Sequence, residues 1–436
     1  MSSAPARILH LRTAASIAIA NMIGTGVFTS LGYQVTDIQS VFALIMLWII
    51  GGMIALCGAL AYGELGTALP RSGGEYHLLA TIYHPALGFL SGWVSATAGF
   101  VAPTAIAAIA LSKYAAAVYP GLPENHLAAG VVILLALVHS RSVRLGSVVQ
   151  DVFTLVKIAV ILLMIFWGLR VEDHEAISLL PALADWRVLL TPAFAVSLVY
   201  VSYAYTGWNA SIYIVGELRD PQRDLPKALF MSTLLVMVLY ALLNFVFLYV
   251  VPMGELAGQI EVGFLAGQQM FGATAGKLLS LTIALLMVST ISAMVFVGAR
   301  ITQVMGEDYP VLRRLAHLSR FRTPVNAIVF QTLITLLFIY TSTFEQVMVY
   351  ASFTLMLLTS LTVAGVYVLR WRQPDLPRPY KTWGYPITPA IFLLANLWIM
   401  MFVVRERPVE SLIGLGIMGT GALMYLLDLR LRREKS

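Results

Sequence analysis

The chain has 436 residues, of which 59% are hydrophobic and only 11% are charged, and its mean hydropathy is +0.83. A soluble globular protein carries about a quarter charged residues, so this composition excludes a water-soluble globule and indicates a polytopic membrane protein. The single cysteine, Cys57, excludes a disulfide framework and a cysteine-rich metal site, and the net charge is +6.

Twelve apolar windows follow one another along the chain. A helix that crosses a bilayer needs about 20 mostly apolar residues. The first window follows the N-terminal segment without a separate cleavage region, so we expect no cleavable signal peptide. We therefore predict an all-α polytopic membrane protein with a single transmembrane domain over residues 1–436 and twelve spans, at 11–32, 40–63, 85–118, 127–140, 147–168, 190–216, 226–250, 273–303, 325–341, 346–370, 386–404 and 409–428.

The first window is interrupted at its centre. The stretch "IAIANMIGTGVFTS" (17–30) places Gly24 and Gly26 where a continuous membrane helix needs neither. Unwinding a helix inside a bilayer frees backbone N–H and C=O groups, which is tolerated only when other groups satisfy them. Glycine in membrane helices also eases close packing, so this break alone does not establish a site.

Lys157 is the one basic residue that lies deep within a predicted span, in "DVFTLVKIAVILLMI". A lysine at the centre of a membrane helix is costly unless it faces a cavity and has partners. It lies too far from both ends of span five for its ammonium group to reach the membrane surface.

A second interruption occurs in the sixth window. The stretch "SYAYTGWNAS" (202–211) is polar and aromatic and contains Gly207. The two interrupted windows are five spans apart, as two five-helix repeats would place them, with repeat one at about 11–168 and repeat two at about 190–370. Inverted repeats with matched broken helices place a binding site near the bilayer midplane.

The distribution of basic residues predicts the orientation. With the N-terminus inside, 21 of the 28 Lys and Arg residues fall in cytoplasmic segments, six fall outside, and Lys157 lies within a span. Lys and Arg are retained on the cytoplasmic side, so both termini are expected there. This bias explains the basic residues without a nucleic-acid partner.

Motifs of other functional classes are missing from the sequence. It contains no HExxH, Walker loop, GxSxG or CxxC, and its seven histidines fall outside the span centres. We therefore expect no enzymatic activity, no bound metal and no cofactor.

Four segments resemble the amino acid–polyamine–organocation (APC) transporters, particularly the bacterial relatives of the L-type amino-acid transporters. They are "NMIGTGVF" (21–28), "ELGTALPRSGGEY" (64–76), "YAYTGWNASIYIVGELRDPQRDLPKAL" (203–229) and "LRWRQPDLPRPYKTWGYPITP" (369–389). The resemblance implies a LeuT-like fold with ten core helices in two inverted repeats of five, broken helices one and six, and two peripheral helices at about 386–428. It also implies a short amphipathic helix in the cytoplasmic loop 69–85.

In such a transporter the two breaks would bind an amino-acid backbone. The N–H groups that open the second half of the first helix suit a carboxylate, and freed carbonyls suit the ammonium group. Glycine at the break lets a ligand approach the backbone closely. The predicted substrate-binding residues are Met22, Gly24, Thr25, Gly26, Val27, Tyr203, Ala204, Thr206 and Gly207.

The resemblance also implies a gate and a pocket for the substrate side chain. In the resembled transporters an aromatic residue at the position of Tyr203, often Phe or Trp, closes over the substrate, and Tyr205 is a second gate candidate. Tyrosine here is a departure that places a hydroxyl at the gate. The candidate pocket residues come from spans three, eight and ten and are Ala96, Thr97, Met294, Ser352 and Phe353.

For Lys157 the resemblance implies a coupling role. In the APC family a lysine at this place occupies the region where sodium-coupled relatives hold a sodium ion, and its candidate partners on span eight are Ser289, Thr290 and Ser292. Two roles remain open. It is either a fixed cation that substitutes for sodium or a proton carrier whose pKa is lowered by desolvation.

These features predict a sodium-independent secondary transporter of neutral L-amino acids that works by alternating access as an exchanger, in the plasma membrane of a bacterial cell. The alternatives are a proton-coupled importer of amino acids, amines or polyamines, and a sensor that binds without transporting. A cationic substrate would want a buried carboxylate, and no unpaired acid was identified near the predicted pocket. Some animal relatives link by disulfide to a heavy chain through the loop equivalent to 119–128. That loop has no cysteine here, so no such partner is expected.

Overall fold

The computed structural model describes residues 9–141, 147–177 and 180–433, without the side chains of residues 147–151. Three of the basic residues used for the orientation, Arg7, Arg144 and Lys435, lie outside this part of the chain. The described residues form helices and connecting loops, and the one β-type pairing among them is an isolated bridge between Leu9 and Leu218.

The first half of the chain forms nine α-helices. A π-helical segment, Ser95–Gly99, joins the sixth and the seventh, so the third predicted span is not a regular α-helix. The helices are α1 (Leu11–Met22), α2 (Gly26–Thr29), α3 (Leu31–Asp37), α4 (Val41–Ala68), α5 (Gly74–Ile82), α6 (Pro85–Val94), α7 (Val101–Val118), α8 (Glu124–Arg141) and α9 (Ser147–Gly168).

The second half forms nine further α-helices and two 3₁₀ segments, Ala210–Glu217 and Pro310–Ala316. The helices are α10 (Leu183–Val188), α11 (Pro192–Tyr205), α12 (Pro221–Val250), α13 (Met253–Leu256), α14 (Val262–Asp308), α15 (Val325–Thr341), α16 (Phe344–Arg372), α17 (Ile387–Glu406) and α18 (Pro408–Arg433). Gly272, with φ of 79°, kinks α14 immediately before the predicted start of span eight.

Local sequence signals explain where several of these helices begin. Ser40 caps α4 by accepting a hydrogen bond from the backbone N–H of Ala43, and Thr343 with Gln346 forms a capping box at the start of α16. Proline occupies the first turn of α6, α11 and α12, where its missing N–H costs no helical hydrogen bond.

Eight helical stretches among the described residues are long and apolar enough to cross a membrane, which confirms a polytopic membrane protein. Two shorter apolar helices, Val152–Gly168 and Val325–Thr341, accompany them. The eight stretches are Leu11–Thr29, Val41–Ala68, Pro85–Val118, Pro221–Val250, Val262–Asp308, Phe344–Arg372, Ile387–Glu406 and Pro408–Arg433.

The two interrupted helices lie against each other and run in opposite directions. The α1 helix packs on the 3₁₀ segment that follows α11, and α2 packs on α11 itself. Along this contact Ala14 meets Ser211, Asn21 meets Gly207 and Gly26 meets Ala204. Because one residue number rises as the other falls, the two chains are antiparallel. The breaks therefore meet at the centre of the molecule.

Longer helices pack around this central pair. The α4 and α12 helices pack against each other, as do α7 and α14, and α12 also packs on α1. The last two helices, α17 and α18, expose large apolar side chains such as Leu394, Leu397, Leu412 and Leu423. Such residues suit contact with lipid, so these two helices lie at the periphery.

Candidate substrate-binding site

The first break spans Ile23 to Thr25, which have no regular helical structure. The helix resumes at Gly26 without a side-chain cap, so no side chain satisfies the first N–H groups of α2. A Cβ atom added to Gly24 would find only the carbonyl oxygen of Met22 within 4 Å, at 3.9 Å. The backbone at Gly24 therefore faces open space into which a ligand could fit.

The second break follows Tyr205, where α11 ends. The carbonyl oxygen of Tyr203 accepts a hydrogen bond from the backbone N–H of Thr206 at 2.9 Å. Gly207 has φ of 104°, and a Cβ there would lie 2.7 Å from Cβ of Asn21. The chain then continues as a 3₁₀ segment rather than the expected second α-helical half. The Tyr203 carbonyl, predicted to face the substrate, is thus engaged in the turn.

The breaks contact each other directly. The hydroxyl of Tyr203 lies 3.5 Å from Oγ1 of Thr25, and both side chains are buried. A Cβ on Gly26 would lie 2.7 Å from both Cα and Cβ of Ala204. Glycine at position 26 is therefore required by close helix packing, whereas the sequence suggested close ligand approach as the reason.

Tyr240 on α12 joins the two breaks and was not predicted from the sequence. Its hydroxyl lies 2.6 Å from the carbonyl oxygen of Met22 and 3.3 Å from that of Ala204. Both carbonyls were predicted to face the substrate ammonium. The available signal was a tyrosine midway along an apolar span, with a hydroxyl that needs a partner inside the membrane.

Tyr205 has a packing role in this structure. Its hydroxyl donates a hydrogen bond to the carbonyl oxygen of Trp48 at 2.9 Å, and its ring packs between those of Trp48 and Tyr240. These contacts direct the side chain toward α4 and α12. Of the two gate candidates, Tyr203 is the one whose side chain reaches the other break.

Lys157 is 3% exposed and donates a hydrogen bond to Oγ1 of Thr290 at 2.9 Å. This contact joins α9 to α14, as expected for one of the three predicted partners. Ser292 instead lies with its Oγ 2.8 Å from Nε2 of His139 on α8, because it points to another face of α14. Ser289 is buried on the same helix as Thr290.

The candidate side-chain pocket draws on three elements that do pack together. The π-helical segment containing Ala96 and Thr97 contacts both α14, which carries the half-buried Met294, and α16. Ser352 on α16 is buried, and its hydroxyl has no hydrogen-bond partner among the described residues. Phe353 lies beside Gly414 of α18, on the outer side of α16. π-Helical turns often occur at functional sites.

A buried carboxylate, Glu75, contacts the segment just after the second break and was not predicted from the sequence. It lies on α5, is 3% exposed, and accepts hydrogen bonds from Tyr62 at 2.5 Å and from Nδ2 of Asn209 at 2.8 Å. Burial raises the pKa of this carboxyl to about 7, and the two hydrogen bonds oppose that shift. Glu75 therefore links the cytoplasmic loop helix to the segment just after Gly207.

We expect Glu75→Gln to weaken the pH dependence of stability. The folded protein holds this proton more tightly than an unfolded chain, whose carboxyl has the ordinary value of 4.5. The free energy of unfolding therefore falls as pH rises from about 4.5 to about 7. Melting temperatures across this range should vary less in Glu75→Gln than in wild type. The exposed control Glu255→Gln should keep the wild-type slope, and equal slopes in all three proteins would refute this assignment.

Comparison with known proteins identifies the family to which this architecture belongs. The amino acid permease family model matches residues 9–423. The chain belongs to the amino acid permease family. This confirms the predicted membership of the APC superfamily.

Individual amino acid permeases match almost the whole chain. The mouse (Mus musculus) large neutral amino acids transporter small subunit 2 is 32% identical over 430 residues, which cover 96% of this chain and 80% of that protein. The human (Homo sapiens) protein of the same name has the same identity and coverage. The human b(0,+)-type amino acid transporter 1 is 30% identical over 430 residues, covering 96% of this chain and 87% of that protein.

Two of the four segments quoted for the family resemblance, 64–76 and 369–389, meet in an ion-paired cluster at one end of α4. Glu64 is 1% exposed and accepts hydrogen bonds from Arg370 at 2.8 and 2.7 Å and from the backbone N–H and hydroxyl of Thr382, both at 2.7 Å. A buried charge is tolerated when it is paired in this way. The cluster anchors the connection between α16 and α17 to α4, so Glu64 is a structural residue rather than a substrate ligand.

Proposed function

We propose that this permease is a sodium-independent exchanger of neutral L-amino acids that works by alternating access. The observation that carries the proposal is the meeting of the two antiparallel breaks, where Thr25 and Gly26 contact Tyr203 and Ala204. The names of the relatives, which include large neutral amino acids transporters, support the substrate class.

The substrate backbone would bind beside Gly24. Its carboxylate would accept hydrogen bonds from the N–H groups of Thr25, Gly26 and Val27, where the positive end of the helix dipole favours an anion. Its ammonium group would donate to carbonyl oxygens at the breaks, among them those of Ala204 and Thr206. Tyr203 would close over the bound molecule, and its contact with Thr25 gives that closed position a polar latch.

Sodium independence is inferred from Lys157. When protonated, its side chain, buried and bonded to Thr290, would place a positive charge between α9 and α14. A second cation in the same place would be repelled strongly in a low-dielectric interior. Exchange requires in addition that the protein changes conformation readily only when substrate is bound.

A proton-coupled importer is the second candidate, and Glu75 is the observation that favours it. Its pKa of about 7 allows the carboxyl to gain and lose a proton near neutral pH. Its bond to Asn209 connects that event to the second break. Neutral substrates remain the better match in either case. Glu75 accepts hydrogen bonds from two protein side chains, those of Tyr62 and Asn209, so this carboxylate does not need a cationic substrate as its partner.

For the architecture we propose twelve spans in a LeuT-like arrangement, with repeats at about 11–168 and 190–370 and peripheral helices at about 386–428. Each of the twelve apolar windows contains a described helix, and the central pair is antiparallel as inverted repeats require. We place the protein in the plasma membrane with both termini cytoplasmic. The single cysteine, Cys57, lies within α4, which supports function without a disulfide-linked heavy chain.

Proteoliposome uptake tests the proposed function. Purified protein would be reconstituted with or without internal leucine, and uptake of labelled leucine measured with sodium present or replaced by choline. We expect saturable uptake only with internal leucine and no effect of sodium. Uptake into empty vesicles driven by a pH gradient would instead support proton-coupled import. Saturable binding without flux under every condition would refute transport and favour a sensor.

A further inference from the structure

A cavity of about 290 Å³ lies away from the substrate site, between the end of α8, the second half of α14 and the start of α15. Two arginines line it, Arg300 from α14 and Arg322 from the loop that precedes α15. Among the residues that the structure describes, no Asp or Glu side chain lines it. Neither arginine forms an ion pair with a carboxylate in the described part of the chain, so the cavity concentrates positive charge.

The surroundings of the two exposed arginines restrain the side chain of Arg300 and the backbone of Arg322. The guanidinium of Arg300 lies 4.0 Å from the centre of the Phe296 ring. Arg322 adopts a left-handed backbone conformation, with φ of 56°, in a turn closed by the bond from its N–H to the carbonyl of Ser319 at 2.9 Å. A conformation of this kind persists only where surrounding contacts hold it, and it often accompanies a binding function. Thr323 anchors the turn by donating to the carbonyl of Ser140 at 2.7 Å.

The start of α15 adds a further positive contribution. Thr323 and Pro324, which precede the helix, line the same cavity, and no side chain caps the helix at this end. The helix dipole places partial positive charge at this end, while the N–H groups of Val325 and Ile328 are bonded to the carbonyls of Thr323 and Pro324. Two arginines therefore line one cavity, which the N-terminal end of the 17-residue helix α15 adjoins. A phosphate group matches this set, because arginine binds its oxygens through paired N–H donors.

Apolar residues at the rim indicate the source of the phosphate. Val304 and Leu318 line the cavity and are 48% and 41% exposed, and Val297 and Val329 are exposed on the adjoining turns of α14 and α15. A free phosphate ion would gain nothing from these surfaces, whereas acyl chains would cover them. We propose that the cavity binds the phosphate of an anionic phospholipid, with its acyl chains along the exposed faces of α14 and α15.

Lipid retention by the purified full-length protein tests this proposal. Wild type and the double variant Arg300→Gln/Arg322→Gln would be reconstituted into nanodiscs of phosphatidylcholine with a minor fraction of phosphatidylglycerol. After detergent extraction, the bound phosphatidylglycerol would be counted by native mass spectrometry. We expect the double variant to retain at least about ten times less phosphatidylglycerol, which corresponds to about 1.4 kcal/mol of binding free energy, because it lacks the charge-assisted hydrogen bonds to the phosphate.

The matched control is Arg219→Gln/Arg223→Gln, which removes the same charge from exposed positions just before and in the first turn of α12, outside the cavity. It should retain as much phosphatidylglycerol as wild type. Equal loss of phosphatidylglycerol in both double variants would show that the effect depends on surface charge alone, which would overturn the site. Unchanged retention in both double variants would overturn it as well. A parallel arm replaces phosphatidylglycerol by inorganic phosphate in pure phosphatidylcholine. Saturable phosphate binding there, without lipid retention in the first arm, would overturn the lipid assignment. Size-exclusion profiles and melting temperatures in phosphatidylcholine alone confirm that each variant is folded.

Discussion

Replacing Lys157 with alanine is expected to lower leucine exchange at least ten-fold while leaving a folded protein in the membrane. The lysine is buried and its ammonium group donates to Thr290, so the variant loses a hydrogen bond between α9 and α14. A hydrogen bond to a charged group contributes about 1.5–3 kcal/mol, which corresponds to about a ten- to hundred-fold change in a conformational equilibrium or rate. Initial rates of exchange in proteoliposomes measure the effect.

Two further variants separate the charge from the volume of the side chain. Lys157→Met keeps most of the stem but removes the ammonium group, so it should be as impaired as the alanine variant. Lys113→Met removes a lysine whose partner, Glu124, lies 2.7 Å away at the partly exposed end of α7, and it should exchange at the wild-type rate. Normal exchange by both Lys157 variants would show that the buried charge has no part in transport.

Replacing Gly24 with valine is expected to weaken leucine binding at least a hundred-fold. The structure leaves open space beside this residue, so a Cβ there meets no atom closer than the Met22 carbonyl oxygen at 3.9 Å, and the valine side chain would extend into the proposed ligand position. Loss of two or more hydrogen bonds to the charged ends of leucine, each contributing about 1.5–3 kcal/mol, accounts for the size of the effect. Scintillation proximity binding of labelled leucine measures it.

Gly130→Val is the matched control, because a Cβ there also meets nothing within 4 Å, yet the residue lies on the exposed face of α8. It should bind leucine normally. Gly26→Val is a poorer test, since its side chain would collide with Ala204 and disturb helix packing whether or not a ligand binds nearby. Wild-type affinity in Gly24→Val would place the substrate elsewhere.

The sequence was sufficient to predict the features that depend on local composition. Hydropathy located the eight helical stretches that are long and apolar enough to cross a membrane, and clustered glycine and polar residues located both breaks. The partner of Lys157 was narrowed to three hydroxyl residues on one helix, of which Thr290 makes the contact. Such predictions succeed because the bilayer forces each span to satisfy its own backbone and leaves few other arrangements.

Features that depend on packing between distant segments were not predictable in the same way. Glu75 is separated from Asn209 by 134 positions, and its burial follows from how α5 folds back under the second break. Tyr205 was a second gate candidate beside Tyr203, but residues two positions apart on a helix point in different directions, and only the fold shows which side chain faces the first break. The π-helical turn in span three has no clear signature in its letters, "SATAG".

The hydroxyl of Tyr240 imposes an exclusive choice on the centre of the molecule. A phenol carries one hydrogen, yet two carbonyl oxygens, those of Met22 and Ala204, lie within its reach. The shorter distance to Met22 assigns the hydrogen there rather than to Ala204. An ammonium group that bound the Met22 carbonyl would compete with the tyrosine for that oxygen and favour rotation of the hydroxyl hydrogen toward Ala204. Occupancy on one broken helix would thus be communicated to its antiparallel partner through the position of a single proton.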